Sequence, residues 1–384
     1  MPPVHRRGRV VEIESLERFD ALLAGGACRM RGWRLQSIDL RRRTEALLAL
    51  DPAGALLLGC RVEEPAATAL RAGGAVLFPA VPDVPVDSYR PDLYTAAELY
   101  AGLGDAGGYE STLDARVYAW SQRPLGDAGE TVVRALHDAA IEDALDDALD
   151  GRQLVAVMGG HGLARDDPAY AAAATLGRGL VRSGLTVGTG GGPGAMEAVN
   201  LGSYLAVAAD DALPAALEMV AAVPSFRPSV ATWAAAAFDV VACWPGGDGG
   251  IGVPTWFYGH EPPNVFASAI AKYFQNSVRE ATLLQRAGAG VAFLPGAAGT
   301  VQEVFQDACE NFYADAPTVA PMVLVGVEHW TTRLPAWPLL QALATGRPME
   351  SLVTLVDTVA EALDILTNPG ARTPRPVPPA ASHG

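Results

Sequence analysis

The chain has 384 residues, half of them hydrophobic and 18% charged, which is long enough for one large domain and a smaller one. A formal net charge of −15 disfavours DNA and RNA as partners, because binding a polyphosphate chain needs a basic field. No apolar run reaches the ~20 residues of a membrane-spanning helix, and the basic start is not followed by a signal-peptide core. We therefore expect a cytoplasmic protein without membrane attachment, whose four widely spaced cysteines are reduced and buried.

The first 90 residues are predicted to form a small α/β domain. Short β-rich segments alternate there with helical patterns, and the predicted strands are Val10–Ile13, Trp33–Ile38, Ala55–Gly59 and Ala75–Phe78. Pro-rich and Gly-rich stretches mark residues 91–129 as a linker, with a short helix within Leu93–Leu103. This part of the chain shows neither a catalytic constellation nor a sequence repeat.

A regular series of strands and helices over residues 130–368 predicts a doubly wound, Rossmann-like parallel sheet. The run Leu154–Met158 is apolar throughout, which is typical of a parallel strand buried on both faces. Phe238–Cys243 is predicted as a further strand, and the helix Val359–Leu366 closes the series. The proline-rich tail, residues 369–384, is predicted to be disordered.

Three Gly-rich loops, residues 158–162, 188–196 and 295–303, each follow a predicted strand of this series. Glycine has no Cβ, so the backbone there can approach an oxyanion closely. The helices behind the second and third loops offer unpaired N–H groups, and such loops lie at the carboxyl edge of an open α/β sheet. The loops therefore predict a phosphate or nucleotide site, with candidate residues Gly159, Gly160, Gly190, Gly191, Gly192, Gly194, Met196, Gly296, Ala298, Gly299 and Thr300.

The second loop also allows two other interpretations. Gly190, Gly192 and Ala195 fit G-x-G-x-x-A, and Asp210 stands where a dinucleotide fingerprint places an acidic residue. The loop follows the second strand of the series instead of the first, so NAD is disfavoured. A Gly-rich turn without a ligand is the other alternative. No residues show metal-binding spacing, so neither a cofactor nor a metal is expected.

The stretches GGGPGAM at 190–196 and PGAAGTVQE at 295–303 resemble the paired signatures GGGxxGxM and PGGxGTxxE of the LOG family. Members of this family carry a lysine-decarboxylase-like label but are phosphoribohydrolases. The resemblance covers residues 130–368, and the larger members, nucleotide 5′-monophosphate nucleosidases, also carry extra domains. The sequence departs from the family at Ala297, where the family has Gly, and at Glu280, where it has Lys.

The resemblance implies hydrolysis of the N-glycosidic bond of a nucleoside 5′-monophosphate, giving a free base and ribose 5-phosphate. The matching positions make Arg279, in the helix before the third loop, and Glu303, at the end of its motif, the catalytic residues. Helix and strand lengths independently allow these two side chains to meet at one edge of the sheet. A homodimer or a higher even oligomer is implied as well, with the Arg-bearing helix at its interface. One alternative is a non-catalytic nucleotide or molybdenum-cofactor carrier on the same fold, and another is a nucleotide-sensing module whose output is the N-terminal unit.

Residues outside the motifs bear on the same site and on assembly. The Gly-rich and aromatic stretch 244–264 could cover the site and stack a base, and His161 is expected near the ligand. An apolar stripe at helical spacing precedes Arg279 and would either face the sheet or join two subunits. Its members are Phe266, Ile270, Tyr273 and Phe274.

Overall fold

The computed structural model describes residues 11–81, 84–123, 128–257 and 261–368. The chain forms two compact units: one contains Met1–Leu93 and Arg116–Ala148, and the other contains Tyr94–Ala115 and Leu149–Gly384. The tail predicted to be disordered, residues 369–384, lies outside the described residues. The domain boundaries at residues 90 and 130 remain a prediction.

The elements are numbered in chain order. Strands β1–β11 are Val11–Ile13, Trp33–Gln36, Leu56–Leu58, Val76–Phe78, Leu154–Met158, Thr186–Thr189, Ile251–Gly252, Ala269–Ile270, Gly290–Phe293, Met322–Val325 and Val353–Val356. Helices α1–α14 are Leu16–Ala24, Thr44–Ala49, Glu64–Ala72, Ala96–Leu99, Leu113–Ser121, Ala128–Leu149, Pro168–Arg182, Ala195–Tyr204, Ala212–Ala221, Val230–Cys243, Asn276–Arg286, Ala298–Tyr313, Ala336–Ala344 and Val359–Thr367. The sequence patterns do not predict α5, α9, α13, β7 or β8.

The smaller unit contains a structural repeat, in which each copy is one β-strand followed by one helix. Strands β1 to β4 form a parallel sheet in sequence order. Partners on neighbouring strands, such as Val11 with Trp33 and Leu35 with Leu57, are 22 residues apart. The sequence analysis missed this structural repeat, because successive copies share the positions of apolar residues but few identical residues.

The larger unit is built on a seven-stranded parallel sheet, which confirms the predicted Rossmann-like α/β fold. Its strand order is β11-β10-β9-β5-β6-β7-β8, so the chain moves outward from β5 in both directions. Strands β5, β9 and β10 are buried along their whole length, as the apolar run in β5 predicts. The reversal of direction at β5 places a crevice outside the carboxyl ends of β5, β6 and β9, where sheets of this kind bind ligands.

The strand predicted at Phe238–Cys243 is wrong, because these residues form the end of helix α10. Four alanines directly precede Phe238, and alanine has the strongest intrinsic preference for a helix. The hydroxyl of Ser229 caps the helix by accepting a hydrogen bond from the backbone N–H of Thr232. Trp233 and Val240 lie two helical turns apart and are both buried, so tertiary packing supports the helix as well.

The apolar stripe before Arg279 is not a helix face. Ile270 lies in the short strand β8, and helix α11 begins only at Asn276. Phe266, Ile270 and Tyr273 have no exposed surface, and Phe274 is 6% exposed. These side chains belong to the core of the larger unit, so they offer no surface for joining two subunits.

Two further predictions concern the burial of the cysteines and the presence of a membrane-spanning helix. All four cysteines are free thiols, but the predicted burial is wrong for Cys28, Cys243 and Cys309, which are exposed. Cys60 is partly buried, and burial raises the pKa of its thiol to about 11. Within the described ranges, no helix combines the length and the apolar character needed to cross a membrane.

Candidate active site

A cavity of about 1100 Å³ lies at the carboxyl edge of the larger sheet, and all three Gly-rich loops line it. Gly191 and Gly194 are not among its lining residues and lie within the loop behind the surface. The other candidate residues do line it: Gly159, Gly160, Gly190, Gly192, Met196, Arg279, Gly296, Ala298, Gly299, Thr300 and Glu303. The fold therefore gathers residues that are up to 144 positions apart, from Gly159 to Glu303, around one space.

Arg279 and Glu303 form an ion pair inside this cavity. Nη1 of Arg279 lies 2.9 Å from Oε1 of Glu303, and the two side chains are only 12% and 8% exposed. Nε of Arg279 also donates to the carbonyl oxygen of Val253 at 2.7 Å, which fixes the guanidinium group from a second direction. The two side chains therefore meet at one edge of the sheet, as the lengths of the helix and the strand led us to expect.

Two glycines of the second loop cannot carry a side chain without moving the site. A Cβ on Gly190 would lie 2.2 Å from Nη2 of Arg279 and 2.7 Å from Sδ of Met196. Gly194 has a φ of +73° and approaches the carbonyl oxygen of Gly160 so closely that a Cβ would lie 2.5 Å from it. The glycines thus let loop 188–196 pack directly against the Arg279 guanidinium and against the first loop.

A buried polar network that the sequence analysis missed holds the second loop in place. The Thr189 hydroxyl donates to Oδ1 of Asn200 at 2.7 Å and accepts from the N–H of Gly191 at 3.0 Å. Nδ2 of Asn264 donates to the Gly192 carbonyl at 3.2 Å and to Asn200 Oδ1 at 3.0 Å. No sequence pattern links Asn200 to Asn264, 64 residues away, so only the fold could show this network.

The starts of helices α8 and α12 face the cavity without side-chain caps. Gly194 and Ala297 are the N-cap residues, and neither makes a side-chain hydrogen bond to the helix. No side chain caps the first-turn N–H groups, and only the N–H of Ala195 in α8 has a backbone acceptor from outside its helix, the Gly160 carbonyl oxygen at 3.1 Å, among the hydrogen bonds of the described residues. Ala297 has a φ of −118°, which any residue adopts, so its departure from the family's Gly causes no backbone strain.

Among the residues that the structure describes, His161 and His329 are the histidines that line the cavity, and only His161 is expected there from the sequence. Nδ1 of His161 lies 3.0 Å from Oε1 of Glu261, and this hydrogen bond raises the pKa of His161. Nε2 of His329 accepts from the N–H of Gly296 at 3.4 Å, and burial lowers the pKa of His329. Relative to a free histidine, the charged form is therefore stabilised at His161 and destabilised at His329.

The described part of the loop expected to stack a base contributes no aromatic residue to the lining of the cavity. Trp256 is 2% exposed, and its Nε1 donates to Oδ1 of Asp114 at 2.8 Å. The residues of this stretch that line the cavity are Pro254, Thr255 and Glu261, while Tyr258, Gly259 and His260 lie outside the described residues. The expectation of base stacking is therefore wrong for Trp256, because this ring is sealed in the core.

The dinucleotide alternative gains nothing from the geometry. Asp210 is 88% exposed, pairs with Arg182 at 2.9 Å, and does not line the cavity. Among the described residues, no group of three or more His, Cys, Asp or Glu could hold a metal ion. The cavity's arginine is neutralised by Glu303, so an anion would be bound by backbone N–H groups more than by net charge.

No protein-family model matches the chain, and no curated protein matches it. Among solved structures, that of the protein TM1055 is 20% identical, with a TM-score of 0.36, and covers 56% of this chain and 98% of its own. The molybdenum cofactor binding protein from the phototrophic bacterium Rippkaea orientalis is 14% identical, with a TM-score of 0.35, and covers 56% and 96%. The Moco Carrier Protein from Chlamydomonas reinhardtii is 18% identical, with a TM-score of 0.34, and covers 58% and 99%. Function is therefore inferred from the cavity residues themselves.

Proposed function

We propose that the larger unit binds a nucleoside 5′-monophosphate in the cavity and hydrolyses its N-glycosidic bond. The observation that carries this proposal is the Arg279–Glu303 pair, held at 2.9 Å within a cavity that two uncapped helix starts also border. A fixed carboxylate beside an anion-binding surface is suited to the cleavage of a phosphorylated riboside. The resemblance of both loops to the LOG family supports the same reaction.

The phosphate binds at the starts of α8 and α12 in this proposal. Their first-turn N–H groups lack side-chain caps, and the helix dipoles favour an anion there. Thr300, in the first turn of α12, lies beside Gly296 of the third loop, and its hydroxyl donates a further hydrogen bond to the phosphate in this proposal. Binding through backbone groups explains how a chain of net charge −15 can select an anionic ligand.

Glu303 acts on the ribose in this proposal. It accepts a proton from the water that attacks C1′, while the C1′–N bond breaks and its electron pair leaves with the base. The same carboxylate stabilises the positive charge that develops on the ribose ring in the transition state. Arg279 keeps the carboxylate oriented, because the guanidinium group is itself fixed by the carbonyl oxygen of Val253.

A panel of nucleotides tests the proposal directly. We expect the purified chain to release free base from at least one of AMP, GMP, CMP and UMP, measured by chromatography. The matching nucleoside should bind more weakly by calorimetry, because it lacks the group that contacts the helix starts. Failure to release base from every monophosphate, or equal affinity for AMP and adenosine, would overturn this reading.

A second candidate function is the non-catalytic binding of a nucleotide or of a larger phosphorylated cofactor such as the molybdenum cofactor. The observation that favours it is the cavity volume of about 1100 Å³, which slightly exceeds the roughly 300–1,000 Å³ of small-molecule sites. A carrier would retain its ligand unchanged, so mass spectrometry of the recovered ligand separates the two functions.

A further inference from the structure

The pair formed by His161 and Glu261 has no task in the mechanism above. His161 belongs to the first Gly-rich loop, and Glu261 lies in the chain segment before β8; both side chains line the cavity. Nδ1 of His161 is bound to Oε1 of Glu261 at 3.0 Å. Among the described residues, Nε2 of the same ring has no hydrogen-bond partner, and the side chain is 55% exposed.

The reaction proposed for Glu303 leaves one requirement unmet. When the C1′–N bond breaks, the electron pair departs with the base, and most bases are poor leaving groups unless a proton arrives at the same time. Glu303 removes a proton from water and cannot also donate one in the same step. A general acid placed on the base side of the cavity therefore lowers the barrier.

We propose that His161 is the general acid that protonates the departing base, with Glu261 as the residue that positions its ring. This inference rests on the proposed hydrolysis and adds a catalytic residue to it. The proton moves from Nε2–H of His161 to a ring nitrogen of the base as the C1′–N bond breaks. Water, deprotonated by Glu303, forms the new C1′–O bond, and His161 then regains a proton from solvent through its exposed face.

The charges around His161 fit this role. Glu261 stabilises the imidazolium form, whereas burial of the ring and the nearby Arg227 each oppose it more weakly than the hydrogen bond to Glu261 supports it. The hydrogen bond to Glu261 is the larger effect, so the ring holds its proton to a higher pH than a free histidine does. His329 is unsuited to the role, because burial favours its neutral form and its Nε2 accepts a hydrogen bond from Gly296.

The experiment compares His161→Gln with the wild-type chain on two leaving groups. Adenine needs a proton in order to leave AMP, whereas the pyridinium ring of nicotinamide mononucleotide leaves as neutral nicotinamide without one. We expect kcat/KM for AMP to fall by about 10²–10⁴ and kcat/KM for nicotinamide mononucleotide to stay within about tenfold, since only the first reaction loses acid catalysis. Equal losses on both substrates would overturn the role of His161.

The pH profile gives a second readout that does not depend on the choice of leaving group. His161 is protonated below its pKa, so wild-type activity should fall as pH rises through that value, and His161→Gln should lack this alkaline limb. Glu261→Gln removes the charge that supports the imidazolium, so its alkaline limb should move to lower pH. An unchanged limb in both variants contradicts the proposal, even if nicotinamide mononucleotide is not turned over by the wild type.

A control separates the inference from the function on which it rests. Asp210→Asn removes an exposed carboxylate outside the cavity and should reproduce the wild-type profile. If the wild-type chain releases no base from any nucleotide, the proposed hydrolysis itself fails. If the wild type is active and His161→Gln shows neither leaving-group dependence nor a changed pH profile, only the assignment of His161 fails.

Discussion

Glu303 shows how a buried charge can be kept in a cavity at modest cost. Its side chain is 8% exposed, and an unpaired carboxylate at that depth would be strongly destabilised by the loss of its hydration. Arg279 supplies the compensating charge, and the Val253 carbonyl oxygen accepts a hydrogen bond from the arginine. The pair is therefore pre-organised before any ligand arrives, which is the condition for electrostatic catalysis.

Replacing Glu303 by Gln tests the carboxylate at the residue scale. Gln has the same shape and can still accept a hydrogen bond from Arg279, but it cannot take a proton from water. We expect base release to fall by about 10²–10⁴, because general base catalysis is lost. Initial rates measure this effect, and a thermal unfolding curve checks that the fold is retained. Glu64→Gln, on a side chain that is 79% exposed, is the matched control. If Glu303→Gln keeps activity within about tenfold of the wild type, the assignment of Glu303 as the general base is contradicted.

Gly190 offers a second test, through geometry instead of charge. Gly190→Ala places a methyl group 2.2 Å from Nη2 of Arg279 and 2.7 Å from Sδ of Met196, so the guanidinium must shift from the position in which it pairs with Glu303. We expect a loss of about tenfold or more in kcat/KM, since displacements near 1 Å at a catalytic group cost up to about 10²-fold. Gly288→Ala, where a Cβ meets nothing within 4 Å, is the control. Wild-type kinetics for Gly190→Ala would show that the position of Arg279 is unimportant.

At the scale of elements, sequence patterns predicted correctly those strands and loops whose structure depends on a few neighbouring residues. The buried strand β5 and the Gly-rich loops were predictable, because apolar runs and glycines act over a few residues. The strand predicted at Phe238–Cys243 failed because helix preference and a Ser cap upstream outweighed a short β-like run. The Asn200–Asn264 contact was unpredictable, because it depends on how distant elements pack.

The helix α8 is anchored beside the cavity by a buried ion pair that the sequence patterns do not reveal. Arg165 binds Glu197 of α8 through two hydrogen bonds, at 2.5 Å and 3.1 Å, and the side chains are 1% and 0% exposed. Nη1 of Arg165 also donates to the carbonyl oxygen of Trp233 at 3.1 Å. This contact ties the chain after the first Gly-rich loop to α8 and to α10.

Glu197→Gln should therefore destabilise the fold without removing any proposed catalytic group. It leaves the Arg165 charge buried and uncompensated, and breaking such a pair typically costs about 3–5 kcal/mol. Urea unfolding followed by circular dichroism measures the change in the free energy of unfolding. The double variant Arg165→Met with Glu197→Leu should lose less, because no charge remains buried. A single-variant loss below about 1 kcal/mol, as exposed ion pairs give, would contradict the buried-pair argument.

At the scale of the whole molecule, the sequence could indicate two α/β regions but not the path of the chain between them. Residues 94–115 belong to the larger unit, and residues 116–148 return to the smaller one. The reason lies in long-range contacts: Oδ1 of Asp114 accepts from Trp256 at 2.8 Å and pairs with Lys272 at 2.6 Å. Contacts between residues more than 140 positions apart leave no local signal in the sequence, so these contacts could not be predicted from it.

The resemblance to the LOG family implies that the chain forms a homodimer. The stripe before Arg279 cannot form its interface, but another surface could. The stripe containing Phe266 is buried, but apolar side chains are exposed on α12 and α13, two helices that pack against each other. Tyr313 is 80% exposed, Leu339 is 55% exposed and Leu343 is 38% exposed. Neighbouring exposed apolar residues are typical of a surface that another chain covers. We predict a homodimer, or a multiple of one, in which this surface is buried.

Sedimentation velocity at several concentrations tests this prediction. A closed dimer should dissociate on dilution, and the cavity then loses any stabilisation that the partner gives it. Activity per mole should therefore fall when the protein concentration is below the dissociation constant of the dimer. Leu339→Lys should shift the equilibrium to monomer, because a charge cannot be buried unpaired in an apolar interface. Glu328→Lys, on a side chain that is 72% exposed, is the control for added positive charge. A wild-type chain that sediments as a monomer at micromolar concentration with full activity per mole would show that the site is complete in one copy.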